Sequence, residues 1–244
     1  MFDRITTFFT DPAQLLIVPA ALLAIMLHEV SHGFMAYRLG DLTAKQSGRL
    51  SLNPIRHIDI LGLISMIFMG FGWAKPVPVD MRYFKKPRRD FALVALAGPM
   101  SNFIQAFLGF LLFFAACLLA PELNEIHPLD IFNILLSGQI SNLFEEFPVF
   151  YLHLFLAYYI LMNIGLGAFN LIPIPPLDGS KIVGVVIPDR YYYTILRYER
   201  FGMIALMILL FSGLLDGPLN TMRGFFLEGI SWLASLPFQL LGAF

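Results

Sequence analysis

Residues 25–34 read IMLHEVSHGF: two histidines and a glutamate inside a run whose other members suit lipid. Ionisable groups at membrane depth are costly and generally functional. The run belongs to an apolar segment, about 12–37, long enough for the roughly 20 residues a crossing helix needs. Composition points the same way. Of 244 residues, 58% are hydrophobic and 14% charged, and mean hydropathy is +0.73. A soluble domain carries about 25% charged residues, and a buried core does not explain so large a deficit. The expected fold class is an all-α polytopic membrane protein. A net charge of −1 offers nothing to nucleic acid. The single cysteine, Cys117, excludes an internal disulfide and a thiolate cluster, and its apolar surroundings make it a packing residue. Cleavage of a leader would discard HEVSH, so the first run is expected to be retained as a span.

Further apolar runs follow at about 90–120, 148–175 and 199–215, and 221–244 either spans or lies along the interface, interrupted by Arg223, Glu228 and Pro237. The run 58–73, IDILGLISMIFMGFGW, is settled by charge, since Lys and Arg concentrate in cytoplasmic loops. If 58–73 does not cross, residues 38–89 form one loop with ten basic residues. Lys181, Arg190, Arg197 and Arg200 then fall on the same side, giving fourteen of the sixteen. If it crosses, the asymmetry collapses. We therefore expect a re-entrant or membrane-edge segment, a cytoplasmic basic side and an outer N-terminus. SGRLSLNPI (47–55) and AKPVPVD (74–80) are expected to be short strands of a small cytoplasmic-side hairpin. The acidic loop 121–147 is expected outside, with a surface helix over 130–144. DRYYYTILRYER (189–200) suits an interfacial anchor, and KKPRRD (85–90) a topology signal. No internal repeat of the kind common in transporters is visible.

His28 and His32 lie four apart and share a helical face, with Glu29 directly after the first. In the H-E-x-x-H pattern two imidazoles bind zinc and the glutamate is the general base. Ten residues separate His28 from Arg38, placing the pair about 15 Å below the cytoplasmic end at helical rise. Catalytic zinc takes three protein ligands and keeps one open position. Asp178, in NLIPIPPLDGSK, is one candidate for the third: Pro173, Pro175 and Pro176 break the helix, and Gly179 permits a tight turn. His57 and Asp59 are weaker alternatives in a basic loop. His127 and His153 fall on the outer side.

Together, HEVSH on the first span, AGPMSN (97–102) on the second and NLIPIPPLDG (170–179) on the third resemble the site-2 protease family of intramembrane zinc metalloproteases, peptidase M50. GRLSLNPIRHIDILG and FGWAKPVPV resemble its compact prokaryotic branch. The resemblance covers about 12–185, and 199–244 adds C-terminal helices to a single protease domain. It implies one Zn2+ on His28, His32 and Asp178, with Glu29 as catalytic base. It also implies that Asn102 and Asn170 hold substrate backbone or polarise the scissile carbonyl. The substrates implied are transmembrane proteins, cleaved in the cell membrane of a prokaryote with the site toward the cytoplasm. Two departures stand out. The loop 121–147 is too short for the PDZ domain many relatives carry, and the regulatory nucleotide-binding domain that others carry after the core is not expected within residues 1–244. An edge of 47–55 or 74–80 is expected to clamp unwound substrate by strand addition. Rival readings are a zinc transporter, in which Glu29 has no needed task, and a catalytically silent protein that binds membrane helices.

Overall fold

The computed structural model describes residues 12–62, 65, 74–120, 126–137, 150–188, 190 and 199–243. Most of the expected re-entrant run, much of the acidic loop and most of the expected interfacial anchor lie outside the described residues. The longer helices are α1 (Ile17–Arg38), α2 (Pro87–Leu118), α3 (Pro128–Ser137), α4 (Phe150–Asn170), α5 (Asp178–Val183), α6 (Glu199–Phe211) and α7 (Asp216–Leu240). Of these, α1, α2 and α4 are long and apolar enough to cross a membrane. Phe201–Phe211 and α7 form a bent pair, 87° apart, that makes up to four spans if counted as one. The bend falls at Gly213, whose φ of 73° is one that L side chains rarely adopt. The chain is an all-α polytopic membrane protein.

Local chemistry sets the helix ends. Helix α2 opens on Pro87, whose missing N–H is an orphan there in any case, with Asp90 in the first turn. The Asp90 carboxylate reaches back to accept from Lys86 N at 2.9 Å, so an anion sits at the positive end of the helix. Helix α1 ends where Gly40 adopts a φ of 107° and Asp41 N donates to Ala36 O at 3.0 Å.

The chain divides into two compact units. One holds Met1–Ala24, Phe103–Ile164 and Leu227–Phe244, and the other Ile25–Asn102 and Gly165–Phe226. In the first, α3 buries Ile131, Phe132 and Leu135. The Phe132 ring meets Phe110 at 5.2 Å and Phe113 at 5.5 Å. Ala20 and Ala24 present small side chains to Tyr159, the kind of close helix approach that membrane packing favours. The Tyr159 hydroxyl donates to Gln105 Oε1 at 2.7 Å, satisfying a buried polar group.

In the second unit, Ile172, Leu177, Leu206 and Leu219 form one apolar cluster, and Ala36, Phe84 and Val94 another. The expected hairpin is corrected here. Among the described residues there is no strand, only an isolated antiparallel bridge between Ile58 and Ala74. Asn53 accepts from Ile55 N and starts a 3-10 turn over Pro54–Arg56, which diverts 47–55 from an extended course. Pro76 and Pro78 remove two of the donors a ladder needs from 74–80.

Candidate metal centre

Helical period brings His28 and His32 together on α1. Their Nε2 atoms lie 3.0 Å apart, and Asp178 Oδ2 is 3.3 Å from the first and 3.1 Å from the second. All three residues are buried. Asp178 arrives through a fold-back. After α4 the chain turns through residues 171–177, with Ile174 N donating to Ile172 O at 2.8 Å and Leu177 N to Ile174 O at 3.0 Å. A side chain at 179 would stand 2.3 Å from Leu171 O and 2.5 Å from Ile172 O, so only glycine lets the turn close. Leu177 and Ile172 anchor the turn in the apolar cluster.

The remaining imidazole nitrogens are also engaged. His32 Nδ1 donates to Val94 O at 2.7 Å, and His28 Nδ1 donates to Asn102 Oδ1 at 2.6 Å. Asn102 is fully buried. A carbonyl only accepts, so Nδ1 carries a proton, and in the neutral imidazole each Nε2 turns a lone pair inward. Two such lone pairs and a carboxylate oxygen then face one another. Asp178 Oδ2 has no hydrogen-bond partner. Three electron-pair donors converging in a buried space suit a cation. A tetrahedral zinc with bonds of about 2.0–2.2 Å sets its ligand atoms about 3.3 Å apart, close to the separations seen. The residues therefore fit zinc.

The other Asp178 oxygen, Oδ1, faces Lys181 Nζ at 3.6 Å. Glu29 stands beside the pair, and its Oε2 accepts from Val77 N at 2.9 Å.

Not every residue singled out above converges here. Asn170 Nδ2 donates to Leu166 O within its own helix at 3.0 Å. His57 Nε2 donates to Ser51 O at 2.8 Å, and Asp59 accepts from Gly62 N. His127 Nδ1 accepts from Leu129 N, and His153 stacks edge-on against Phe113 at 5.4 Å. Among the described residues, His28, His32 and Asp178 are the group able to hold a metal.

Gly98, Val77 and Val94 were not singled out from the sequence. A side chain at 98 would come within 2.4 Å of His32 and 2.6 Å of His28, so glycine leaves room for the imidazoles. A periodic signal was present for two of them. Val94, Gly98 and Asn102 are spaced by four and line one face of α2.

Comparison with known proteins identifies a family. The family model for peptidase family M50 matches residues 17–214. YwhC of Bacillus subtilis strain 168 is 37% identical over 193 residues, covering 79% of this chain and 78% of its own. Rip2 of Mycobacterium tuberculosis strain H37Rv is 28% identical over 227 residues, covering 91% and 73% respectively. The names of both assign zinc metalloprotease activity provisionally. No solved structure matches the chain. The chain belongs to peptidase family M50.

Proposed function

We propose that the protein is an intramembrane zinc endopeptidase that hydrolyses peptide bonds within or near transmembrane helices of membrane-protein substrates. One observation carries the reading. Three buried ligand atoms, His28 Nε2, His32 Nε2 and Asp178 Oδ2, converge at 3.0–3.3 Å, the two histidines on a helix long and apolar enough to span. Membership of family M50 supports it.

His28, His32 and Asp178 would hold zinc, which supplies a Lewis acid that acidifies water toward neutral pH and polarises a carbonyl. Val94 O and Asn102 Oδ1 keep the imidazoles in the tautomer that ligates. Glu29 takes a proton as the water oxygen bonds to the scissile carbonyl carbon. It returns that proton to the amide nitrogen as the C–N bond breaks. Asn102 is assigned here to orienting His28, and Asn170 keeps the role that the family resemblance implies, contact with substrate. The active site faces the cytoplasm, and the N-terminus lies outside.

The test uses a model single-span substrate in detergent. Wild type is expected to cleave it, and Glu29→Gln or chelator to abolish cleavage, with zinc content retained in Glu29→Gln. Cleavage that ignores both changes overturns the protease reading. Zinc-dependent flux in liposomes without cleavage favours the transporter.

A further inference from the structure

Glu29 does not stand free. Its Oε2 accepts from the backbone N–H of Val77, 2.9 Å away and 48 residues on in the chain. Val77 lies between Pro76 and Pro78, so its N–H is the sole backbone donor of residues 76–78. The surrounding segment is fastened at four more points. Lys75 N donates to His57 O at 2.9 Å, and Asp80 N to Asp41 Oδ2 at 2.7 Å. The Arg49 guanidinium donates to the Lys75 carbonyl and, at 3.0 Å, to the Pro76 carbonyl. Arg49 and Asp41, both charged, are buried in the course of making these contacts. Gly33 on α1 lets the segment lie close, since a side chain there would stand 3.1 Å from Val77 Cγ1.

Such anchoring has a physical consequence. A backbone amide has no rotamers, so an amide tied down on both sides is a fixed point. A glutamate on a helix has three side-chain torsions to search, and a proton acceptor misplaced by 1 Å costs rate. The donors of Lys75, Val77 and Asp80 are all spent within the protein, and prolines 76 and 78 have none. Residues 75–78 therefore keep no free backbone donor for a substrate strand.

We propose that the Val77 amide is the positioning group for Glu29. It pins Oε2 and leaves Oε1 to exchange the proton, and residues 74–80 serve to hold the base rather than to clamp substrate. The kinetic part rests on the reading of Glu29 as base; the hydrogen bond itself does not.

The experiment therefore has two arms on the full-length protein in detergent. The first is hydrogen exchange at Val77, which a fragment confined to 76–78 reports as a single amide. Glu29→Ala is expected to speed that exchange roughly ten- to hundredfold, the scale of one hydrogen bond to a charged group, and to leave α2 unchanged. Equal exchange in both proteins overturns the latch, whatever the protein catalyses.

The second arm compares Val77→Pro, which lacks the N–H, with Val77→Ala, which keeps it. With zinc content and KM alike, kcat is expected to be roughly ten- to hundredfold lower in the proline variant. Equal kcat overturns the proposal, and a difference confined to KM overturns it in favour of strand pairing. Should Val77→Pro fail to hold zinc, Arg49→Gln releases the carbonyl anchors instead. It is expected to lower kcat with zinc retained, and a wild-type kcat in that variant overturns the proposal. If wild type itself cleaves nothing, the protease reading falls, and the exchange arm alone decides the latch.

Discussion

Asn102 Oδ1 lies 2.6 Å from His28 Nδ1, which gives this asparagine a task distinct from the substrate contact that its motif implies. The two roles separate experimentally. If Asn102 orients a ligand, Asn102→Ala weakens zinc retention about 10–100-fold in a chelator competition, the range for partners that orient metal-binding histidines. If instead it polarises the scissile carbonyl, kcat falls and zinc affinity does not. Asp178 is similar in that its two oxygens have different partners. Oδ2 turns to the histidines and Oδ1 to Lys181. A carboxylate split in this way presents one oxygen to the centre. In the exposed loop, the Arg82 guanidinium beside Asp80 holds that carboxyl below its ordinary range, mainly through hydrogen bonds.

Among the elements, α2 is the wall against which the histidines are set. Its face contributes the Val94 carbonyl, the bare backbone of Gly98 and the Asn102 amide, four residues apart each time. Gly98→Ala tests this wall. A methyl group there would lie 2.4–2.6 Å from imidazole atoms, so the rings must move off their acceptors. Overpacking of this kind costs about 1–3 kcal/mol. The expected outcome is a lower Tm together with loss of bound zinc by elemental analysis. A variant that keeps both shows that α2 yields without disturbing the centre. The segment after α4 works differently. Its prolines end the helix, and Gly179 closes the fold-back, so a residue 146 positions after His32 meets it.

For the whole molecule, the distribution of charge sets the expectation for orientation. The single cysteine makes this testable on a Cys117→Ala background. On intact cells, a membrane-impermeant maleimide is expected to label Asp130→Cys and to spare Lys85→Cys until the membrane is opened. The reverse pattern inverts the proposed orientation. What was legible in the residues alone follows from local rules. Bilayer thickness sets span length, so the runs at 12–37, 90–120 and 148–175 appear as α1, α2 and α4. Helical period alone joins His28 to His32, because residues four apart share a face whatever surrounds them. The misjudged hairpin was also a local reading, in which alternating residues outweighed prolines that carry no donor. Asp178 was already a candidate ligand from its motif, but the groups that hold the histidines and Glu29 in place had to wait for the tertiary structure. The Asn102 acceptor is 74 residues from His28, the Val94 carbonyl 62 from His32, and the Val77 amide 48 from Glu29. Two of these groups belong to the backbone, which every residue carries alike, so no side-chain pattern marks them. The HEVSH stretch determines that the proposed metal pair and base sit on one span. Packing of α1 against α2, the turn before α5 and the segment 74–80 decides which atoms complete the centre and hold it still.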